Sequence, residues 1–143
     1  MAQSAENTAE LEITTNPASA DAETISRGLV HDNRRSVSDL EPDDSGETVF
    51  VFARRDGEII GGLRAPCFWN MAHIELLWVT EAERGNGLGS TILKEAENHI
   101  IARGIGQALL ETTDWQARPF YESHGYQVIA EIDDYPLGHT CFF

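Results

Sequence analysis

Arg84 and three closely spaced glycines form the part of this sequence whose residue types are best suited to chemistry. Gly85, Gly87 and Gly89 follow Arg84 in the segment RGNGLG, after an apolar segment and a short polar one. Glycine lets a backbone bend tightly and approach a ligand, because it carries no Cβ. The arginine adds a guanidinium that makes charge-assisted hydrogen bonds to anions. This combination predicts a turn that binds an anionic group.

The residues after the turn predict a long amphipathic helix that would position this anion site. Apolar residues recur at four-residue intervals and predict one buried face, formed by Leu88, Ile92, Ala96 and Ile100. Gly104 stands at the position of a C-terminal cap. The first N–H groups of a helix lack intrahelical partners and lie at the positive end of its dipole. We therefore expect a phosphate or pyrophosphate at the start of this helix.

Three kinds of phosphate-binding turn compete for this segment. A Walker A loop requires a lysine after its last glycine, but Ser90 follows Gly89. A Rossmann turn requires G-x-G-x-x-G close behind a strand, and here the glycines alternate. Glu111, at the end of the next predicted strand, favours the Rossmann interpretation because it stands near the distance of a ribose contact. The third pattern, R/Q-x-x-G-x-G/A, matches Arg84, Gly87 and Gly89 without adjustment.

A second motif lies downstream of the turn. The segment QARPFYESHGY, residues 116–126, is similar to the pattern A-x-x-F-Y-x-x-x-G-F/Y. In this order and at this spacing, the two motifs resemble those of the GCN5-related N-acetyltransferase (GNAT) superfamily, whose glycine turn binds coenzyme A. The resemblance covers residues 47–143 well and the N-terminal part by general layout. It implies a small bacterial-type single-domain member.

The apolar pattern along the chain predicts the order β-α-β-β-β-α-β-α-β-β. The expected fold is a mixed α/β, GNAT-like sheet, largely antiparallel and flanked by helices, with a central β-α-β cofactor unit. It differs from the repeated βαβ of a doubly wound sheet, which disfavours a Rossmann fold. The predicted strands are 11–15, 49–53, 58–63, 73–79, 108–112, 126–132 and 139–143. The other predicted helices are 18–33 and 117–124, and 65–71 is expected to be a connection.

Length and composition predict one domain over residues 11–143 behind a disordered tail at residues 1–10. No apolar run reaches the length of a membrane-spanning helix, and the N-terminus lacks the features of a signal peptide. We therefore expect a cytoplasmic protein with no membrane partner. Cys67 and Cys141 form neither a disulfide framework nor a zinc-ligand pattern, which predicts free thiols and no metal.

The net charge of −14 argues against nucleic acid as a partner. It would attract a cationic partner, and an amine substrate is one candidate. A role in keeping the protein soluble explains the negative net charge equally well. Because coenzyme A is itself a polyanion, the turn must supply local positive potential against an unfavourable overall field.

The resemblance implies that acetyl-CoA and an amine bind together and that the amine attacks the thioester directly. The strand that carries residues 77–79 is expected to splay from its parallel neighbour at 108–112. Free backbone groups at Trp78 and Val79 would then bind the pantetheine arm and polarise the thioester carbonyl. Thr112-Thr113-Asp114 replaces an asparagine that many members use to contact the cofactor. The expected cofactor-binding residues are Leu77, Trp78, Val79, Arg84, Gly85, Asn86, Gly87, Leu88, Gly89, Ser90 and Asp114.

Tyr121 and Glu75 are the expected catalytic residues. Tyr121 falls on the tyrosine that often protonates the departing thiolate in this family, and a phenol pKa of about 10 lies close above a thiol pKa of about 8.5. A buried helix aromatic without a catalytic role is the alternative. Strand alternation groups Glu75 with His73, Leu77 and Val79. Many members carry a carboxylate there as general base, although a salt-bridged or solvated glutamate remains the alternative. The fallback candidates are His73, Asp114 and His139.

The sequence therefore predicts an acetyl-CoA-dependent N-acetyltransferase that acts on a primary amine of a small cationic molecule. The runner-up acceptor is a protein lysine or N-terminus. A non-catalytic acyl-CoA-binding sensor or partner module and a dinucleotide-binding oxidoreductase are alternatives of other classes. The resemblance also makes a homodimer possible, since many family members form one.

Overall fold

A computed structural model of the chain describes residues 9–40 and 46–143. The chain divides into two compact units, one that ends at Leu40 and one that contains the remaining residues. Most of the predicted disordered tail, residues 1–8, lies outside the described residues. The prediction of a single domain over residues 11–143 stays a prediction.

The N-terminal unit contains one described helix, α1 (Ser19–Ser36), in agreement with the helix predicted at 18–33. The predicted strand at 11–15 is wrong, because these residues have irregular structure. Leu11 and Ile13, whose alternation suggested a strand, are 91% and 100% exposed. Two apolar residues are too weak a signal, since a strand also needs a hydrogen-bonding neighbour to satisfy its backbone groups.

The second unit is a mixed α/β structure with a mainly antiparallel sheet, as predicted. The strands of its larger sheet are β1 (Glu47–Arg55), β2 (Glu58–Phe68), β3 (Met71–Ile74), β4 (Leu76–Val79) and β5 (Ala108–Leu110). The strands of its smaller sheet are β6 (Thr112–Thr113), β7 (Glu131–Asp133) and β8 (Thr140–Phe142). Its helices are α2 (Leu88–Ala102), α3 (Arg118–Ser123) and a short 3-10 helix (Glu81–Glu83).

The hairpin between β1 and β2 turns at Asp56 and Gly57, as predicted. Both residues have positive φ, 51° and 85°, which suits a two-residue turn between twisted strands. Strand β2 is longer than predicted and includes most of the segment expected to be a connection at 65–71. In that segment every second side chain, at Ala65 and Cys67, is buried in the core, which is the pattern of a strand with one buried face.

The core of this unit lies between α2 and the larger sheet. Helix α2 buries the predicted residues Ile92, Ala96 and Ile100, together with Leu93, which the four-residue spacing missed. Gly104 (φ 83°) follows the helix as the predicted cap. Both cysteines are free, as the sequence predicted, and the structure buries both of them.

The central strands separate at one point of the sheet. Strands β3 and β5 run parallel through the pair Ile74–Leu110. Beyond that pair, β4 hydrogen-bonds only β2, and β6 hydrogen-bonds β8 of the smaller sheet. This is the predicted splay, and it leaves one side of β4 without a neighbouring strand.

The C-terminal elements are shorter than predicted. Helix α3 ends at Ser123, close to the expected position, and Gly125 (φ 89°) follows it. The strand predicted at 126–132 is observed as β7, which pairs with β8, and just before it Ile129 and Ala130 exchange backbone hydrogen bonds with Phe143. None of the helices in the described parts of the chain is long and apolar enough to cross a membrane.

Candidate functional site

A cavity of about 460 Å³ opens where β4, α2 and α3 meet. The glycine turn forms one wall, two β4 side chains form another, and α3 with the residue before it forms the third. The lining residues are Leu77, Val79, Glu83, Arg84, Gly85, Gly87, Leu88, Gly89, Ser90, Ala117, Phe120 and Tyr121. The structure therefore brings the two motifs of the sequence together around one space. We call this space the turn cavity.

The backbone of the turn leaves the start of α2 open. Gly85 and Gly87 have φ values of 80° and 82°, a left-handed conformation that glycine adopts readily. A Cβ at either position would meet no atom within 4 Å, so backbone conformation rather than space selects glycine there. Gly87 caps α2 without a side-chain hydrogen bond. The first N–H groups of the helix are therefore available to an anion.

Arg84 ties the turn to β4. Its Nε donates a hydrogen bond to the Val79 carbonyl oxygen at 2.9 Å, and its side chain lines the turn cavity. Glu83, an anion on the same wall, forms an ion pair with Arg55. This pair reduces the unfavourable effect of the Glu83 carboxylate on a bound phosphate.

Two residues of β4, Leu77 and Val79, direct their backbone N–H and C=O groups away from β2 and toward the splay. Thr80 donates its N–H to the Ile60 carbonyl oxygen of β2 at 2.9 Å. Because backbone groups alternate between the two sides of an antiparallel strand, Trp78 also faces β2, whereas Leu77 and Val79 face away. The expectation that Trp78 offers free backbone groups is therefore wrong, and its side chain does not line the turn cavity either.

Tyr121 is the predicted catalytic residue that lines the turn cavity. Its ring packs edge-to-face against Phe120 and Tyr126, with centroid distances of 5.2 Å and 5.7 Å. Burial raises the pKa of the Tyr121 phenol above its usual value. The side chain is therefore protonated at neutral pH and is equipped to donate a proton.

His124 is a residue of this region that the sequence-based interpretation missed. Its Nε2 lies 2.9 Å from Ser90 Oγ, so it joins the end of α3 to the first turn of α2. Its ring also packs edge-to-face on Phe120 at 4.7 Å. The available signal was its position three residues after Tyr121, a spacing at which helical side chains share a face.

Glu75 lies apart from the turn cavity, and the prediction that it shares a face with Leu77 and Val79 is wrong. Both Glu75 and Leu76 oppose Arg64 of β2, which makes a β-bulge. The extra residue shifts the alternation, so Leu77 and Val79 pack toward the core. The Glu75 carboxylate forms an ion pair with Arg64, as one predicted alternative had it.

Asp114 and Asn86 are also absent from the lining of the turn cavity. Asp114 Oδ1 lies 2.9 Å from His139 Nδ1, and Asp114 Oδ2 accepts a hydrogen bond from the Thr140 N–H at 3.3 Å. These contacts occupy both oxygens at the junction of β6 and β8. Within residues 9–40 and 46–143, no group of three or more His, Cys, Asp or Glu side chains is arranged to hold a metal ion.

Comparison with known proteins gives consistent matches. The model of the Acetyltransferase (GNAT) family matches residues 12–126, which include both motifs. Blasticidin-S acetyltransferase from Streptomyces morookaense is 42% identical over 85 residues, or 59% of this chain and 62% of that protein. An acetyltransferase from Agrobacterium fabrum is 29% identical over 85 residues, with the same two shares. This chain thus spans less than two thirds of the length of either relative.

A solved structure extends the similarity to nearly the whole chain. The crystal structure of an acetyltransferase from Bacillus cereus ATCC 14579 superposes with a TM-score of 0.81 and 30% sequence identity. The match covers 92% of this chain and 94% of that one. Sequence motifs, family match and fold therefore agree, and the chain belongs to the Acetyltransferase (GNAT) family.

Proposed function

We propose that the protein is an acetyl-CoA-dependent N-acetyltransferase that acetylates a primary amine of a small cationic molecule. The observation that carries the proposal is the turn cavity. It combines an uncapped helix start, outward-facing backbone groups of β4 and a protonated tyrosine in one space. These are the groups that an acyl transfer from a phosphate-bearing thioester requires.

The turn supplies the groups for the anionic end of acetyl-CoA. The Arg84 N–H is bonded to the Glu81 carbonyl oxygen at 3.2 Å, so the N–H groups from Gly85 through Ser90 are the ones offered at the start of α2, where the helix dipole favours negative charge. The guanidinium N–H groups of Arg84 that are not bonded to Val79 add a charge-assisted contact to the pyrophosphate. The backbone groups of Leu77 and Val79 would bind the pantetheine arm in place of a neighbouring strand.

The proposed chemistry uses the same wall of β4. An N–H group of Leu77 or Val79 polarises the thioester carbonyl and stabilises the oxyanion that forms when the amine attacks. The new C–N bond forms as the C–S bond breaks, and Tyr121 donates its phenolic proton to the departing sulfur. The burial that raises the pKa of Tyr121 also excludes water from the site. This exclusion disfavours the charged thiolate, so the departing sulfur would leave as the neutral thiol.

Two observations support a small cationic acceptor. The chain carries a net charge of −14, which attracts cations over long distances. The similarity to blasticidin-S acetyltransferase adds a relative whose name gives blasticidin S as the acceptor. A protein lysine or N-terminus stays the alternative acceptor class.

Thermal unfolding with acetyl-CoA, CoA and NAD in parallel tests the cofactor half of the proposal. A ligand at about 100 times its dissociation constant stabilises the folded protein by about 2.7 kcal/mol, an easily measured rise in the unfolding midpoint. We expect a rise with acetyl-CoA and CoA and none with NAD. A rise with NAD alone would contradict the proposal.

Release of free thiol from acetyl-CoA tests the transfer half. The panel contains blasticidin S, spermidine and a lysine-containing peptide, and mass spectrometry locates the acetyl group on each product. Faster thiol release with blasticidin S or spermidine than with the peptide is the expected outcome. Binding of acetyl-CoA without turnover of any amine would favour the non-catalytic acyl-CoA-binding module instead.

A further inference from the structure

The first turn of α2 carries two side-chain hydroxyls, and they have different partners. Thr91 Oγ1 donates a hydrogen bond to the Gly87 carbonyl oxygen at 3.1 Å, so its proton is engaged within the helix. Ser90 Oγ instead lies 2.9 Å from His124 Nε2, at the end of α3. Ser90 also lines the turn cavity, whereas Thr91 does not. Ser90 is therefore the hydroxyl of this turn that can offer a proton to a bound ligand.

The direction of the hydrogen bond between Ser90 and His124 decides whether that proton is available. If Nε2 carries a hydrogen, it donates to Ser90 Oγ, and the hydroxyl proton is free for a ligand. If Nε2 is bare, it accepts the hydroxyl proton and withdraws it from the ligand. Neutral imidazole adopts either tautomer, whereas imidazolium carries a hydrogen on both nitrogens. Protonation of His124 therefore guarantees a donor at the start of α2.

The surroundings of the His124 ring leave its protonation open to change. Across residues 9–40 and 46–143, the ring makes one hydrogen bond, the one to Ser90. Its edge-to-face contact with Phe120, at 4.7 Å, restricts the ring without bonding Nδ1. The side chain is half-buried and lines a second cavity, of about 360 Å³, through which it can exchange a proton with water.

The titratable groups of α3 and the residues after it do not compete for this proton. Arg118 and Glu122 line the second cavity with His124, and they form an ion pair with each other. Tyr121 and Tyr126 line it as well. Burial raises the pKa of both phenols, so both are uncharged at neutral pH.

The charged groups of α2 and of the glycine turn are also engaged or exposed. Glu97 accepts a hydrogen bond from the Tyr126 hydroxyl at 3.0 Å, and Lys94 is exposed to solvent. Glu83 forms an ion pair with an arginine of β1, and Arg84 donates to a carbonyl oxygen of β4. Each of these carboxylates thus has a partner in the described part of the chain. An anion bound in the turn cavity is therefore the group that would favour a proton on His124.

We infer that His124 is a positioning residue for the cofactor. It donates from Nε2 to Ser90 Oγ, so that the Ser90 hydroxyl donates to the pyrophosphate of acetyl-CoA. Its protonated form binds the cofactor more tightly than its neutral form. The inference rests on the proposed function, which assigns the pyrophosphate to the start of α2.

The sign of the pH dependence follows from linkage. Because the bound anion favours the imidazolium, cofactor binding takes up protons, and protons in turn strengthen cofactor binding. Affinity is therefore highest where His124 is protonated. It falls as the pH rises through the range in which imidazole loses its proton, about pH 5 to 8.

Calorimetric titration with CoA at about pH 6 tests the contact itself. Ser90→Ala removes the hydroxyl and should weaken binding about 10-fold, the effect of losing one hydrogen bond to a charged group. His124→Leu removes the donor that orients the hydroxyl, whereas His124→Gln keeps an amide donor of similar reach and should restore most of the affinity. The double variant Ser90→Ala/His124→Leu should bind CoA better than the product of the two single effects predicts, because the two side chains act together.

The pH dependence distinguishes a titrating positioning residue from a contact that only joins α3 to α2. Between about pH 5.5 and pH 8, wild type should lose at least about 3-fold more CoA affinity than His124→Gln, which keeps the contact but cannot titrate. The phosphates of CoA titrate equally in both experiments, so they cancel. His99→Gln makes the same change at an exposed position in the last turn of α2 and should keep the wild-type pH dependence.

The same titrations separate this inference from the proposed function. Equal pH dependence in wild type and His124→Gln, or unchanged CoA affinity in Ser90→Ala, would overturn the inference even though CoA binds. No binding of CoA by wild type at any pH would overturn the inference and the proposed function together. Titrations of wild type in two buffers of different ionisation enthalpy count the protons taken up, and a count no larger than that of His124→Gln would also refute the inference.

Discussion

Tyr121 is the side chain on which the proposed chemistry depends most directly. We expect Tyr121→Phe to lower kcat by about 100-fold, the usual contribution of a positioned acid, with little change in the unfolding midpoint. Burial raises the pKa of this phenol, so ionisation of Tyr121 should reduce kcat only above about pH 10, the ordinary tyrosine value. Steady-state thiol release across pH checks both statements.

The matched control for this substitution is Tyr135→Phe, because the Tyr135 side chain is half exposed and does not line the turn cavity. It should leave kcat unchanged. Equal kcat in wild type and Tyr121→Phe would show that a buried aromatic, the alternative interpretation of this residue, is sufficient at this position.

Gly87 tests the requirement of the turn for a left-handed backbone. No atom lies within 4 Å of a Cβ built there, so any effect of substitution comes from its φ of 82°. We expect Gly87→Ala to destabilise the protein by about 1 kcal/mol and to weaken acetyl-CoA binding, since side chains disfavour this conformation. Gly87→Asn should be milder, because asparagine tolerates left-handed backbone. Urea unfolding and acetyl-CoA titration measure the two effects, and equal stability of all three proteins would contradict the prediction.

The predicted site residues that the structure brings together belong to local motifs. The glycine turn and Tyr121 reach one cavity because their neighbours along the chain determine their backbone conformation. Contacts between distant residues were not predictable in the same way. Asp114 binds His139, 25 positions away, and Glu75 binds Arg64 on an adjacent strand. No local pattern encodes either partner.

At the scale of the elements, the contact between α2 and the sheet depends on a glycine of β2. A Cβ at Gly61 would lie 3.0 Å from Ile92 Cδ1 and 3.0 Å from the Trp78 carbonyl oxygen. We expect Gly61→Ala to destabilise the protein by about 1–3 kcal/mol through overpacking. Chemical denaturation gives the change in the free energy of unfolding.

A double-mutant cycle identifies the contact responsible. Ile92→Val removes the Cδ1 atom that the new methyl group would meet. The double variant Gly61→Ala/Ile92→Val should therefore be more stable than the sum of the two single effects predicts. Recovery should be incomplete, because the Trp78 carbonyl belongs to the backbone and stays in place. Strict additivity would exclude the packing explanation.

Element types were predicted better than element ends. Helix α2 and the β1–β2 hairpin agree with the sequence because strong periodicity and glycine-containing turns define them. The bulge at Glu75 could not be anticipated, since strict alternation assumes one residue per position. This single insertion separates Leu77 and Val79, which pack toward the core, from Glu75, with which strict alternation had grouped them. It also places Glu75 against Arg64.

At the scale of the whole molecule, net charge acts oppositely on the two proposed substrates. The chain carries −14, acetyl-CoA is a polyanion and the proposed acceptor is a cation. Raising the ionic strength from about 0.01 M to about 0.15 M shortens the screening length from about 30 Å to about 8 Å. The long-range field therefore weakens, while contacts at the start of α2 are affected less. We expect acetyl-CoA to associate faster with added salt and spermidine to associate more slowly, as measured by stopped-flow mixing.

The Arg84→Met variant separates this overall field from the local cation of the turn. If the field governs approach, the variant should bind acetyl-CoA more weakly but show the same increase of association rate with salt. A decrease of the acetyl-CoA association rate with salt in wild type, abolished in Arg84→Met, would mean that the turn dominates the approach. The distinction matters for the mechanism. At low salt the negative field of the chain would repel acetyl-CoA and slow its binding, while the same field would attract the cationic amine.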